Sequence, residues 1–127
     1  MDMLENSGRT LAFIGDAVWS LKVRMWLVEH GQGKGDELQR LCISYVSAKA
    51  QALFYETMHG EDFFTAEEED FFHRGRNSHA GSVPHNTPVR LYRISTGFEA
   101  MIGALHLQGK DDRIDAIFAR AVRIKEG

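Results

Sequence analysis

A chain of 127 residues, 43% of them apolar, can bury one core and is too short for two. The formal net charge of −3 argues against a generic polyanion binder, and Cys42, the single cysteine, rules out an intrachain disulfide and fits a reducing cytoplasm. Met1 to Thr10 is polar and acidic (Asp2, Glu5), unlike a secretory leader, and no apolar stretch reaches membrane-spanning length, so the expectation is a cytoplasmic protein with no membrane partner.

The apolar residues recur at helical spacing, without period-two alternation, which predicts an all-α chain. Leu11, Ile14, Val18, Leu21, Met25 and Val28 step by three and four, as one face of a helix does. Ala12, Asp16, Trp19, Val23 and Trp26 step the same way on the other side. A helix apolar on two faces is sandwiched between neighbours or reaches a partner subunit, and Asp16 is the one charge in its second face. The glycines from Gly31 to Gly35 break this helix, and Asp36 can cap the next, with Leu38, Leu41, Cys42 and Tyr45 on one side. Ser47 can cap a third helix carrying Ala50, Leu53, Phe54 and Met58, ending near Gly60. Thr65-Ala66-Glu67-Glu68 has the form of a capping box, opening a short helix that Gly75 is expected to end. Residues 76–87 read as a loop, and Pro88 suits the first turn of a long helix with Leu91, Ile94, Phe98, Met101, Ile102 and Leu105. On it Gly97, Ala100, Gly103 and Ala104 form a small-residue surface where another helix can come close. A last helix follows Asp111 and Asp112, with Ile114, Ile117, Phe118 and Ala121. No repeat or linker divides the chain, so residues 1–127 are expected to be one domain with a core of about 9–125.

Charge is unevenly spread. From Phe71 to Phe98 there is no Asp or Glu, while Arg74, Arg76, Arg90, Arg93 and the histidines at 73, 79 and 85 fall there. A basic stretch on an acidic chain is suited to phosphates, and Gly75, Asn77, Ser78, Gly81 and Ser82 add small polar groups and backbone donors. A solvated loop that happens to be basic has about the same weight on charge alone. The histidines lack zinc-ligand spacing.

Two blocks carry more information. Leu11-Ala12-Phe13-Ile14-Gly15-Asp16-Ala17-Val18 resembles the signature helix of the ribonuclease III family, and Ser95-Thr96-Gly97-Phe98-Glu99-Ala100-Met101-Ile102-Gly103-Ala104 resembles its second catalytic helix. Tyr45-Val46-Ser47-Ala48-Lys49-Ala50-Gln51 and Arg74-Gly75-Arg76-Asn77 look like the Mini-III branch, which is the catalytic domain alone, without a double-stranded RNA-binding domain. All four blocks occur in the right order between about Leu11 and Ala121. The chain departs from the standard pattern at Ala12, where a glutamate is usual, and at Thr96, where an aspartate is usual. Two of the usual four carboxylates are therefore absent, as in the Mini-III branch, which leaves the metal count open.

The resemblance implies a ribonuclease III endonuclease-domain-like helical bundle and an endoribonuclease acting on double-stranded RNA. Asp16 and Glu99 are the implied catalytic and metal-binding pair, with Mg²⁺ as cofactor and Mn²⁺ as its substitute. Magnesium keeps several waters, so one or two carboxylates with a substrate phosphate oxygen can hold it. Thr96 could hold a water through its hydroxyl. Without the resemblance Asp16 would read as a buried carboxylate satisfied by backbone N–H groups near a helix start. Lys49, Arg74, Arg76, Asn77 and Arg93 are the implied RNA-binding residues; as plain surface groups Lys49 would be solvated and Arg93 ion-paired. Trp19 and Trp26 read as packing or dimer interface, because an A-form duplex offers few unstacked bases. A two-fold homodimer cutting both strands is implied, with precursor 23S ribosomal RNA as substrate and a ribosomal particle or ribosomal protein as a further partner. The alternatives are a non-catalytic RNA-binding or scaffold module of the same fold, and a helical interaction domain with no RNA role.

Overall fold

A computed structural model describes residues 7–31, 33–78, 83 and 85–127. Among these the chain is helical and shows no strand: α1 is Gly8–Glu29, α2 Asp36–Val46, α3 Ala48–Gly60, α4 Ala66–Arg76, α5 Val89–Leu107 and α6 Asp111–Glu126. The expectations on Asp2, Glu5, His79, Gly81 and Ser82 lie outside the described residues.

α5 is the axis of the molecule. From Ile94 to Leu105 every residue is buried except Glu99, which is half-buried. An all-round apolar helix has to be enclosed, and α1, α3, α4 and α6 all pack on it. Glycines permit the closest approaches. A Cβ on Gly15 would lie 1.7 Å from the Glu99 carbonyl oxygen, and one on Gly103 would lie 2.0 Å from that of Leu11. Both sides of the α1–α5 crossing are therefore bare backbone, and the small-residue surface expected on α5 is filled by α1 and α4.

The packing corrects four local readings. Gly75 does not end α4; it is buried inside the helix, where a Cβ would meet Ala100 Cβ at 2.5 Å and the Thr96 oxygen at 2.8 Å. Asn77 follows as the C-cap, so the loop expected from residue 76 starts one residue later. Asp36 lies in the first turn of α2 behind an N-cap at Gly35, whose φ of 55° favours glycine. Pro88 is the N-cap of α5 rather than a first-turn residue. Two caps form as expected. Ser47 accepts from the Ala50 N–H at 3.2 Å, and Thr65 and Glu68 make a reciprocal capping box.

On α1 the core takes Leu11, Ala12, Gly15, Trp19, Val23 and Leu27, a stripe that includes three residues of the second apolar series and only Leu11 of the first. Trp19 is fully buried, edge-on to Phe98 and Phe118, and its indole N–H donates to the Tyr45 carbonyl at 3.0 Å. Asp16 is exposed in mid-helix at the edge of this stripe, which removes the reading of a buried carboxylate at a helix start. The other series is split: Leu11 is buried, Ile14 and Val18 are half-buried, and Leu21, Met25 and Val28 are all more than half exposed, as is Phe13 beside them at 82%. Leu21 and Met25, with Ala17, Val18, Trp26, Ile114 and Phe118, border an apolar groove of about 460 Å³ between α1 and α6. No helix of the described residues is long and apolar enough to cross a membrane.

Candidate active site

Glu99 is the one interruption in the buried run of α5, and the α1–α5 crossing puts it beside Asp16. The backbone contact of Gly15 with the Glu99 carbonyl brings the two helices together at residues next to or at the two carboxylates. The carboxyl of Asp16 hydrogen-bonds that of Glu99, and the Glu99 pKa is pushed up to about 9. Burial is the largest cause; the hydrogen bond and the negative charge of Asp16 follow, and a hydrogen bond from Gln51 opposes them. Two carboxyls in contact cannot both be ionised cheaply, so the pair holds either a shared proton or a cation.

Gln51, in the first turn of α3, completes the inner side. Its Nε2 donates to Glu99 Oε2 at 3.3 Å and to the Val46 carbonyl at 3.1 Å. It is 1% exposed, and its Oε1 has no hydrogen-bond partner among the described residues. Thr96, one turn before Glu99, is buried, and its hydroxyl donates to the Tyr92 carbonyl at 2.9 Å. Its proton is thus committed, and toward a water the hydroxyl can only accept. Ala12, one turn before Asp16, is 6% exposed and packs in the core.

These residues fit a divalent cation. The donor set is hard oxygen: two carboxylates that repel each other when ionised, and an amide oxygen left without a donor. Among the described residues no group of three His, Cys, Asp or Glu could hold a metal, so the set offers two acidic ligands at most and would leave further positions to solvent and substrate.

The basic residues lie around this centre to different degrees. Gly75 packs on the Thr96–Ala100 stretch, so Arg74 and Arg76 on either side of it end α4 next to the segment carrying Glu99. Arg76 is exposed and donates to Asn77 Oδ1 at 3.2 Å, while half-buried Arg74 lies over the Phe71 ring at 5.3 Å. Arg93, six residues before Glu99 on α5, and Lys49, in the first turn of α3, are both exposed. Arg90 is different: it is ion-paired with Glu56 of α3, so its charge is partly committed. Gln51 is the site residue that the sequence reading passed over. Its signal is a polar side chain on the stripe of α3 that buries Ala52, Tyr55 and Met58.

The Ribonuclease III domain family matches residues 9–110. The chain is 39% identical to Mini-ribonuclease 3 of Enterococcus faecalis over 116 residues, covering 91% of this chain and 88% of that one. It is 43% identical to Mini-ribonuclease 3 of Brevibacillus brevis over 117 residues, covering 92% and 86%. A crystal structure of a Fusobacterium nucleatum protein superposes with a TM-score of 0.87 at 29% identity, covering 97% of this chain and 99% of that one.

Proposed function

Because the chain belongs to the ribonuclease III family, in its Mini-ribonuclease 3 branch, we propose that it is an endoribonuclease that hydrolyses phosphodiester bonds of double-stranded RNA with Mg²⁺. The observation that carries this is the meeting of Asp16 and Glu99 across the α1–α5 crossing, one from each of the two blocks that resemble the family's catalytic helices. The bound cation would supply charge neutralisation at the scissile phosphate and an acidified water. Asp16 and Glu99 would hold that cation, and Gln51 and the α1 backbone would fix where Glu99 stands. Thr96, its proton committed to the Tyr92 carbonyl, would accept a hydrogen bond from a water at the site.

Arg74, Arg76, Asn77, Arg93 and Lys49 bind the phosphate backbone on this reading. Duplex RNA is recognised by shape and phosphate contacts, which a single domain without a separate RNA-binding module can supply only over a short length. A homodimer doubles that length and places one site on each strand. The exposed apolar side of α1 favours it, because monomers seldom leave so large a contiguous apolar face to water. Precursor 23S ribosomal RNA, presented on a ribosomal particle or with a ribosomal protein, is the proposed substrate, and the cytoplasm the proposed location.

The test is cleavage of a perfect RNA duplex with Mg²⁺, with EDTA and Asp16→Asn as controls. The expected result is metal-dependent cutting of the duplex and none of the matching single strand. Duplex binding without cutting at saturating Mg²⁺ would instead establish a non-catalytic RNA-binding module.

A further inference from the structure

We propose that Gln51 is a positioning residue for the reaction, whose buried amide holds the Glu99 carboxylate in the orientation that receives the metal. The inference rests on the metal-nuclease reading above and adds a residue to it. The fold gives Gln51 little freedom. α2 ends at Val46, Ser47 is the only residue between the helices, and Gln51 lies one turn into α3. Its side chain can therefore reach back to the Val46 carbonyl, one of the acceptors that a helix end leaves unpaired.

Both neighbours of the amide nitrogen, the Val46 carbonyl and Glu99 Oε2, are acceptors. An inverted amide would set oxygen against both of them, so only one orientation fits. Gln51 thereby presents an N–H to Glu99 from a fixed scaffold, with 1% of its surface exposed. That contact also favours the ionised form of Glu99, against burial and Asp16. The remaining amide oxygen is buried without a donor among the described residues, which is costly unless a water or a cation's hydration shell satisfies it. A side chain kept only for packing would be apolar here, like Ala52 and Met58 beside it. Partners that orient a metal ligand are commonly worth 10- to 100-fold in metal affinity or rate.

The variant is Gln51→Met, unbranched and of similar length, with Gln51→Leu as the second should the first fold poorly. Three quantities are read: Mn²⁺ affinity of the RNA-free protein by electron paramagnetic resonance, kcat with duplex RNA at several metal concentrations, and duplex affinity in Ca²⁺. The expected result is Mn²⁺ binding weaker by about 10- to 100-fold, with kcat lowered in step at low metal and partly restored at high metal. Duplex affinity and Tm should stay near wild type. A purely structural role would instead lower Tm and duplex affinity together with activity, and that pattern overturns the proposal. Wild-type Mn²⁺ affinity and kcat in both variants overturn it as well, while leaving the nuclease reading intact. Failure of the wild type itself to bind Mn²⁺ would sink the nuclease reading first.

Discussion

The Glu99 carboxyl has an ordinary pKa of 4.5 when unfolded and one raised to about 9 in the metal-free fold. Below pH 4.5 it is protonated in both states and favours neither. As pH rises toward 9 the unfolded chain gives up this proton and the folded chain keeps it, so the group progressively destabilises the fold. The metal-free protein should lose stability across that window, and Glu99→Gln should remove much of the slope. Thermal unfolding in EDTA from pH 5 to 9 checks this: at pH 8 the variant should melt above the wild type, and a lower Tm would contradict the assignment. With Mg²⁺ present the same substitution, like Asp16→Asn, should nearly abolish kcat while the fold is retained; near-normal turnover in either would misplace the chemistry. Asp16 and Glu99 were named from the two blocks that resemble the family's catalytic helices, and the fold brings their carboxyls together. Gln51 was not named, since a glutamine in a first helical turn looks like a solvated residue until the fold shows what surrounds it.

The helices themselves were largely legible, because a face that must be buried imposes its three-and-four spacing on the chain. The sequence could not distinguish two uses of glycine. Gly75 looked like a terminator, since glycine is common just past a helix end, yet it makes room for Ala100 and the Thr96 carbonyl in the α4–α5 contact. Gly15 serves the α1–α5 contact in the same way and bears directly on the site. An added methyl would have to displace backbone at 1.7 Å rather than a flexible side chain. Gly15→Ala should therefore destabilise the fold by about 3 kcal/mol or more, and should part Asp16 from Glu99 in whatever fraction folds. Urea denaturation with an activity assay measures both effects. A loss under about 1 kcal/mol with full turnover would show that the crossing adjusts without cost to the site.

Two surfaces among the described residues bear on assembly and substrate, one apolar and one basic. On the proposed dimer the apolar face of α1 is covered, so Leu21→Glu with Met25→Glu should convert a sedimenting species of twice the chain mass into monomer; wild type that is already monomeric at micromolar concentration would remove the premise. On the proposed reading the basic surface meets the substrate. Arg74 and Arg76 end α4 beside the Glu99 segment, where phosphates of a bound duplex would have to pass. Each ionic contact with a phosphate releases counterions, so binding should weaken steeply with salt. Replacing both arginines by Ala should raise KM, leave kcat near wild type and flatten the log–log salt dependence of affinity by about one to two units. Duplexes of different sequence should lose affinity alike, because phosphates carry no base identity. Lowering the ionic strength should recover part of the loss through Arg93 and Lys49, acting over a longer screening length. Arg90 should help little, being paired with Glu56. Because Arg74 also lies over the Phe71 ring, Tm is measured alongside to separate lost packing from lost charge. The measurement is a salt titration of duplex binding in Ca²⁺, which suppresses cutting. Equal slopes and affinities for the wild type and the double variant would mean that RNA is held elsewhere on the molecule.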